Sequence, residues 1–278
     1  MNAADHEAAQ VVTADVELGG DGWHMRLKLT VPVGPTRMRQ LLPMVQDLTN
    51  TVVDLTTKAV EEQGDRISCK KGCGACCRQL VPISKVEAHH IHDLIEELPE
   101  PRRMEIRSRF AEARRRLEES GMLEKLLHWE EWAAGEGEFI GIDYFHHGIA
   151  CPFLDEESCS IHPDRPLACR EYLVTSPAEN CSRPTAETVR PVRLPLEVWT
   201  SVARMDDLPP GARFIHWIPL ILAPEWAQGH PDESVPRPGP ELVHKLIENL
   251  ARQEIPVNLP SQAPFVATAM PATRRTGL

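Results

Sequence analysis

Eight cysteines carry most of the chemical potential of this 278-residue chain. The first group is CKKGCGACC, with the spacing C-x3-C-x2-C-C, and the second is CPFLDEESCSIHPDRPLACREY, followed by one more cysteine. Clustered thiolates are the usual ligands of zinc and of iron–sulfur clusters. The predicted metal ligands are therefore Cys69, Cys73, Cys76, Cys77, Cys151, Cys159 and Cys169, with Cys181 as the eighth.

Disulfides explain these cysteines less well. With 42% hydrophobic residues, a chain of this length can bury an ordinary core and does not need the disulfides of small secreted domains. The opening MNAADHEAAQ lacks the positive and apolar stretches of a secretory signal, so we expect a cytoplasmic location. The apolar stretch WIPLILAP is too short to span a bilayer, so we expect no membrane association.

The spacing of the thiols also bears on the type of site. Neither group alone is a common CxxC plus CxxC zinc site, so we expect the two groups to meet in space. Cys76 and Cys77 are adjacent and point in different directions on a regular backbone, which favours two neighbouring sites or one cluster with a spare thiol. Soft thiolates suit zinc and a 4Fe-4S cluster alike, so the ligands do not choose between them.

Basic residues flank the first group. Lys70, Lys71 and Arg78 are expected to lower the pKa of the thiols and to offset the charge of a thiolate site. The chain as a whole has a net charge of −11, which opposes binding to nucleic acid. The arginine-rich run 102–116 contains glutamates four residues from arginines, a pattern typical of an exposed helix with weak ion pairs.

Three residues near the second group are further candidates for the site. Arg170 and Tyr172 follow Cys169 and could either donate hydrogen bonds to cluster sulfur or hold the loop. His162 lies three residues after Cys159, a spacing that suits a zinc ligand and equally a residue that caps a turn.

The segments CKKGCGACCRQLVPIS and CPFLDEESCSIHPDRPLACREY resemble the YkgJ-type cysteine-cluster family, the zinc- or iron-chelating CxxCxxCC domain. Members share the first cluster, a CPFL…CSIY…RP..CR segment and a further cysteine downstream, so the resemblance covers about Cys69 to Cys181. His162 stands where the family has a tyrosine. One branch, the flagellin lysine N-methylases, carries a similar cluster in a larger enzyme. The resemblance implies metal binding and specifies no reaction.

A redox or metal-handling role is the functional hypothesis that follows. One alternative is a zinc-stabilised module that binds a protein partner, and another is a cluster-dependent protein-modifying enzyme similar to a lysine N-methylase. Cys69, Cys73 and Cys76 also match the C-x3-C-x2-C spacing of radical S-adenosylmethionine enzymes. Here the motif follows a long helix, Ala75 replaces an aromatic residue, and the alternating strands and helices of a barrel are missing. Whether the protein is an enzyme stays open at this point.

Hydrophobic periodicity predicts the elements that position the cysteines. VTADVEL and WHMRLKLTV, separated by GGDG, predict a β-hairpin with Trp23, Met25, Leu27, Leu29 and Val31 on one face. A helix is expected from either Thr36 or Pro43 to about Gly64. A capping box of Ser84 and Glu87 predicts the start of a second helix, which Pro99 ends. Further helices are expected at 106–117, 123–134, 196–205 and 241–254.

The residues between 135 and 195 show no sustained period and are expected to be loops that a metal orders. The predicted fold class is mainly α, with an N-terminal β-hairpin and an irregular, metal-ordered cysteine-rich loop region. We expect a tail and hairpin at 1–35, a helical domain at 36–255 that contains the metal site at 69–181, and a flexible tail at 256–278. A proline-rich stretch at 228–240 is predicted to be a linker.

Overall fold

The N-terminal part of the chain forms the predicted hairpin. The computed structural model describes residues 10–20, 23–133, 135–185, 187–205 and 215–252. Strands β1 (Val11–Gly20) and β2 (Trp23–Pro32) pair antiparallel over their full length. On β2, Met25, Leu29 and Val31 are buried and Trp23 and Leu27 are half-buried, whereas the residues that alternate with them are exposed, so the predicted face is confirmed. The expected tail at 256–278 lies outside the described residues.

Helix α1 (Met38–Glu62) is the longest helix in the described part of the chain. It begins between the two predicted starting points, so Pro43 lies inside the helix rather than in its first turn. Proline there removes one backbone hydrogen bond. The helix buries Leu42, Val45 and Val52 almost completely, and this burial offsets the missing bond.

Seven further helices follow α1 in the described ranges before the last one. The capping box predicted at the second helix is present, because the Ser84 hydroxyl accepts from the Glu87 amide and the Glu87 carboxylate accepts from the Ser84 amide. These helices are α2 (Lys85–Glu97), α3 (Arg102–Glu119), α4 (Met122–Leu127), α5 (Glu136–His146), α6 (Leu167–Glu171), α7 (Val198–Ala203) and α8 (Ala223–Gly229). Of these, α2, α6 and α7 contact α1 directly.

The last described helix, α9 (Gly239–Ala251), follows the segment that was predicted to be a linker. In the structure this segment contains strand β8 (Arg237–Pro238), which pairs antiparallel with β3 (Pro35–Thr36). A Cβ on Gly239 would lie 2.2 Å from the carbonyl oxygen of Pro32, so the start of α9 packs directly on the end of the hairpin. Pro238 and Pro240 therefore lie in a strand and in the first turn of a helix, where the missing N–H costs little.

Four more short strands form two pairs, of which the first joins distant parts of the chain and the second is a tight hairpin. Strands β4 (Pro82–Ile83) and β7 (Ile218–Pro219) pair with each other, as do β5 (Leu154–Asp155) and β6 (Ser158–Cys159).

Helix α5 was not predicted, because its apolar residues alternate with glycine and acids. It nevertheless buries Gly137, Ile140, Gly141 and Tyr144 on one face.

The largest apolar cluster joins the hairpin, α1 and α9, and a second one lies between α2 and α3. The fold is mainly α with an N-terminal hairpin, as predicted. Leu127, at the end of the short helix α4, has 52% of its surface exposed. The boundary predicted at residue 35, between the hairpin and the helical domain, stays a prediction. No described helix has both the length and the apolar composition to cross a bilayer.

Candidate metal centre

The first cysteine group lies on a short, tightly fixed segment. The amide of Ser68 donates to the carbonyl of Val174 at 2.9 Å, which anchors the start of the segment. Gly72 has a φ of 85°, a left-handed conformation that favours glycine, and it turns the chain into a 3₁₀ helix at Ala75–Arg78. Cys76 and Cys77 lie on this 3₁₀ helix. The first thiols are thus held by backbone contacts rather than by an apolar stripe.

Gly74 makes the close contact between the two cysteine groups. A Cβ at this position would lie 2.6 Å from Oε2 of Glu157 and 2.7 Å from Cδ1 of Leu154. Beside it, the Arg78 guanidinium donates to the carbonyl of Gly74 at 2.8 Å and to the Glu157 carboxylate at 2.7 Å. The β5–β6 hairpin, which carries Cys159, is therefore pressed against the first group.

The second group reaches the first through its backbone as well. The amide of Cys151 donates to the carbonyl of Cys77 at 2.7 Å. Cys159 lies on β6 opposite Leu154, and Cys169 lies on α6. Helix α6 is in turn held by Glu87 of α2, whose carboxylate accepts from the amide of Leu167 at 2.7 Å.

Helix α3 anchors the loop that connects Cys151 with Cys159. The Arg109 guanidinium donates to the carbonyls of Pro152 and Leu154 at 3.1 and 3.2 Å and to the Asp155 carboxylate at 2.6 Å. Arg102 forms a second ion pair with Asp155. These two arginines belong to the run that was predicted to be an exposed helix with weak ion pairs, and the sequence analysis missed their contacts with this loop.

Electrostatic interactions divide six of the thiols into two sets of three, and Cys76 interacts with members of both sets. All eight cysteines are free. The first trio is Cys69, Cys73 and Cys181. Burial raises the pKa of Cys69, and the Cys76 and Cys73 thiolates add to that rise. Burial raises the pKa of Cys181 to about 11, and the two other members of the trio and Cys76 add to that rise.

The second trio consists of Cys151, Cys159 and Cys169. Burial raises the pKa of Cys151 to about 12, with further contributions from Cys159 and Cys76. The pKa of Cys169 is raised well above its ordinary value, first by burial and then by Cys151, Cys76 and Cys159. Neutral thiols are thus favoured in the absence of a cation, and a bound cation reverses that preference.

Cys76 and Cys77 lie between the two trios. The Cys76 thiol interacts electrostatically with members of both trios, and its hydrogen bond with Cys77 raises its pKa well above the ordinary value.

The sequence model of the CxxCxxCC family, described as "Putative zinc- or iron-chelating domain", matches residues 68–187. This segment is therefore similar to the CxxCxxCC domain. The match supports a metal-binding role and leaves zinc and iron open. Neither a curated protein nor a solved structure matched the chain.

Arg165 interacts electrostatically with several thiols of the CxxCxxCC domain. Its positive charge lowers the pKa of Cys69, Cys76, Cys159 and Cys169, although burial outweighs it in the two trios. Its Nε is buried without a hydrogen-bond partner among the described residues. Arg165 was not among the predicted site residues. Its position in the sequence between Cys159 and Cys169 was the one feature that indicated a place near the thiols.

Two further donors of the domain are buried without an acceptor in the part of the chain that the structure describes. The Tyr172 hydroxyl has no partner, and burial raises its pKa above the ordinary range while Cys181, Cys76 and Cys69 contribute to the rise. Nε2 of Gln79, which lies beside this hydroxyl, is also without a hydrogen bond of normal geometry. Buried donors normally have acceptors. Thiolate sulfur close to Tyr172 is an acceptor of the required charge.

Arg170 and His162, the other two residues predicted near the second cysteine group, have different environments. Arg170 donates to the carbonyls of Pro163 and Arg165 and to the side chain of Asn50, so its observed contacts hold the loop, one of the two roles considered for it. His162 is exposed, and burial followed by nearby cations lowers its pKa. Its identity as a metal ligand stays a prediction.

The residues of the domain fit a thiophilic metal in their chemistry. Within the described ranges, no three His, Cys, Asp or Glu side chains already stand in an arrangement that could hold a metal ion. The backbones of the two cysteine groups are nevertheless in direct contact. All eight thiols are free, and three donors of the domain lack a partner among the described residues. Metal binding therefore requires the thiol side chains to move towards the ion. The chain segments that carry them are already in contact.

Proposed function

We propose that this protein holds an iron–sulfur cluster or zinc through the eight cysteines of its CxxCxxCC domain and has a redox or metal-handling role. The observation that carries the proposal is the arrangement of two thiol trios around the Cys76–Cys77 pair. A bound metal would supply electron transfer if it is an iron–sulfur cluster, or a cross-link between the two groups if it is zinc.

The chain's own residues have separate tasks in this proposal. The thiols bind the metal, and Arg165 offsets the negative charge of several thiolates at once. The Tyr172 hydroxyl and Gln79 donate hydrogen bonds to sulfur, which stabilises the anionic site. Arg170 keeps the loop around Arg165 in place. We also propose a cytoplasmic location, because eight free thiols need a reducing compartment.

The test is purification without oxygen, followed by elemental analysis, a sulfide assay and a visible spectrum. Iron with acid-labile sulfide and a charge-transfer absorption that bleaches on reduction is the result expected of a redox protein. Stoichiometric zinc without colour supports a metal-handling or structural role. The double variant Cys76→Ser/Cys77→Ser is expected to lose most of the metal. Wild-type protein without stoichiometric metal under these conditions would overturn the proposal.

A second candidate, a zinc-stabilised module that binds a protein partner, is favoured by one surface feature. A groove of about 380 Å³ is lined by Trp129, Trp217 and Trp226, and the half-exposed Leu127 lies at its edge. Colourless zinc protein that unfolds on chelation is the outcome expected of this candidate. A cluster-dependent protein-modifying activity, such as lysine N-methylation, rests on the family resemblance alone.

A further inference from the structure

We propose that the CxxCxxCC domain holds two metal ions per chain, one in each thiol trio, with the Cys76–Cys77 pair completing both sites. This inference rests on the proposed metal-binding function and adds the number and the composition of the sites. Its basis is the separate packing of the two trios and the position of the pair between them.

The first trio is built on one small apolar cluster. Cys73 and Cys181 both pack against Val174 and Val189. The Cys69 thiol donates to the carbonyl of Tyr172 at 3.9 Å, two residues before Val174 in the chain. Three thiols from residues 69–73 and 181 therefore converge on the same short segment.

The second trio is built on a different apolar cluster. Cys151 and Cys159 pack against the group that contains Ile83, Phe153 and Ile161, between α2 and α3. Cys169 comes from α6, which contacts strand β4 next to that group. The residues that support the second trio are thus separate from those that support the first.

The Cys76–Cys77 pair contacts the supports of both trios. The 3₁₀ helix Ala75–Arg78 packs against the turn Ala178–Ser182, which carries Cys181 of the first trio. The carbonyl of Cys77 accepts from the amide of Cys151 of the second trio. On this short helix the side chains of two adjacent residues point in different directions, so one member of the pair can serve each trio.

Ligand counting leads to the same number. A mononuclear thiolate site takes four ligands, and each trio has three. A single four-thiol site would leave a second trio of closely spaced thiols without a function. Three cysteines in each trio and two in the pair give two sets of four, which use all eight thiols.

The experiment is zinc loading of the reduced full-length protein without oxygen, followed by removal of excess metal. Native mass spectrometry and elemental analysis then count the zinc ions per chain. The expected result for the wild type is two. A cobalt titration provides an independent count, because thiolate-to-cobalt absorption should rise until two equivalents have been added.

Two matched variants locate the ions. Cys69→Ser removes the exposed thiol of the first trio, and Cys159→Ser removes a half-buried thiol of the second. Each variant is expected to keep half of the zinc, and circular dichroism checks that it is folded. One zinc per wild-type chain would overturn this inference and leave the proposed function standing. No bound zinc or cobalt in the wild type would overturn this inference, and the proposed function would then depend on the iron and sulfide assay. The wild-type count decides the matter even if a variant fails to fold.

Discussion

Replacing Arg109 by glutamine should weaken metal binding at the second trio. The side chain of Arg109 links α3 to the loop between Cys151 and Cys159 through two carbonyls and the Asp155 carboxylate. Glutamine is shorter and uncharged, so it cannot make these three contacts together. Asp155 keeps its ion pair with Arg102, and part of the connection therefore survives.

The size of the effect follows from the contacts that are lost. A hydrogen bond to a charged group contributes about 1.5 to 3 kcal/mol, and one to a neutral carbonyl contributes about 1 kcal/mol. About a third of each side chain in the Arg109–Asp155 ion pair is exposed, so water screens the pair, and Asp155 keeps Arg102; the two carbonyl bonds therefore account for most of the loss. We expect a loss of about 2 kcal/mol, which corresponds to a roughly 30-fold weaker zinc affinity at the second trio.

Competition with a chromophoric chelator measures this affinity. Arg115→Gln is the matched control, because Arg115 lies on the same helix and pairs with Glu112 and Glu119 of that helix. The control should bind zinc like the wild type. The affinity of the first trio should be unchanged in both variants. Equal affinity of the second trio in Arg109→Gln and in the wild type would refute the idea that α3 positions Cys151 and Cys159.

Three other changes test the site and its scaffold. Gly74→Ala should destabilise the protein by about 1 to 3 kcal/mol in urea unfolding, because the new methyl group would overlap Glu157 and a neighbouring side chain. Gly34→Ala, which meets nothing within 4 Å, is its control, and equal stability of the two variants would contradict the packing at Gly74. Tyr172→Phe removes a hydroxyl without a partner in the described structure, so the metal-free protein should keep its stability while zinc affinity falls about tenfold. A parallel change in both quantities would argue against a hydrogen bond from Tyr172 to sulfur. Burial raises the pKa of Glu171 well above its usual value, so the folded protein binds this proton more tightly than the unfolded chain does. The resulting stability is complete below the unfolded pKa and is lost as the pH rises through the folded one. Urea unfolding of the metal-free protein at several pH values should therefore show a decline with rising pH that Glu171→Gln reduces, and an unchanged decline would refute the assignment.

Local sequence patterns predicted the parts of the fold that depend on neighbours along the chain. The alternation around Met25 and Leu29 predicted the buried face of the hairpin. Ser84 and Glu87 predicted the start of α2, because both partners of a capping box lie within one turn. The cysteine spacing likewise predicted that the two groups meet, and the hydrogen bond from Cys151 to Cys77 shows that they do. That the eight cysteines are metal ligands stays a prediction.

Contacts between distant segments could not be predicted in the same way. Arg109 belongs to a run of arginines that all have acidic neighbours four or fewer residues away. Nothing in that local pattern distinguishes it from Arg115, which makes only such local pairs in the described structure. Arg165 has no periodic pattern around it, and only the folding of three cysteine-bearing segments places it beside their thiols. The sequence therefore identified the thiols but missed the residues that position them.

The turn between β5 and β6 shows a local conformation that its sequence disfavours. Glu156 and Glu157 have φ values of 46° and 59°, a region in which glycine is at home and a side chain costs of order 1 kcal/mol or more. Two glycines would form the same turn with less strain. They would also remove the carboxylate through which Glu157 holds Arg78 beside Gly74. The strained turn thus lowers local stability but keeps the two halves of the cysteine cluster at a fixed distance. Sequences selected for stability alone would be expected to lose the Glu157–Arg78 ion pair first.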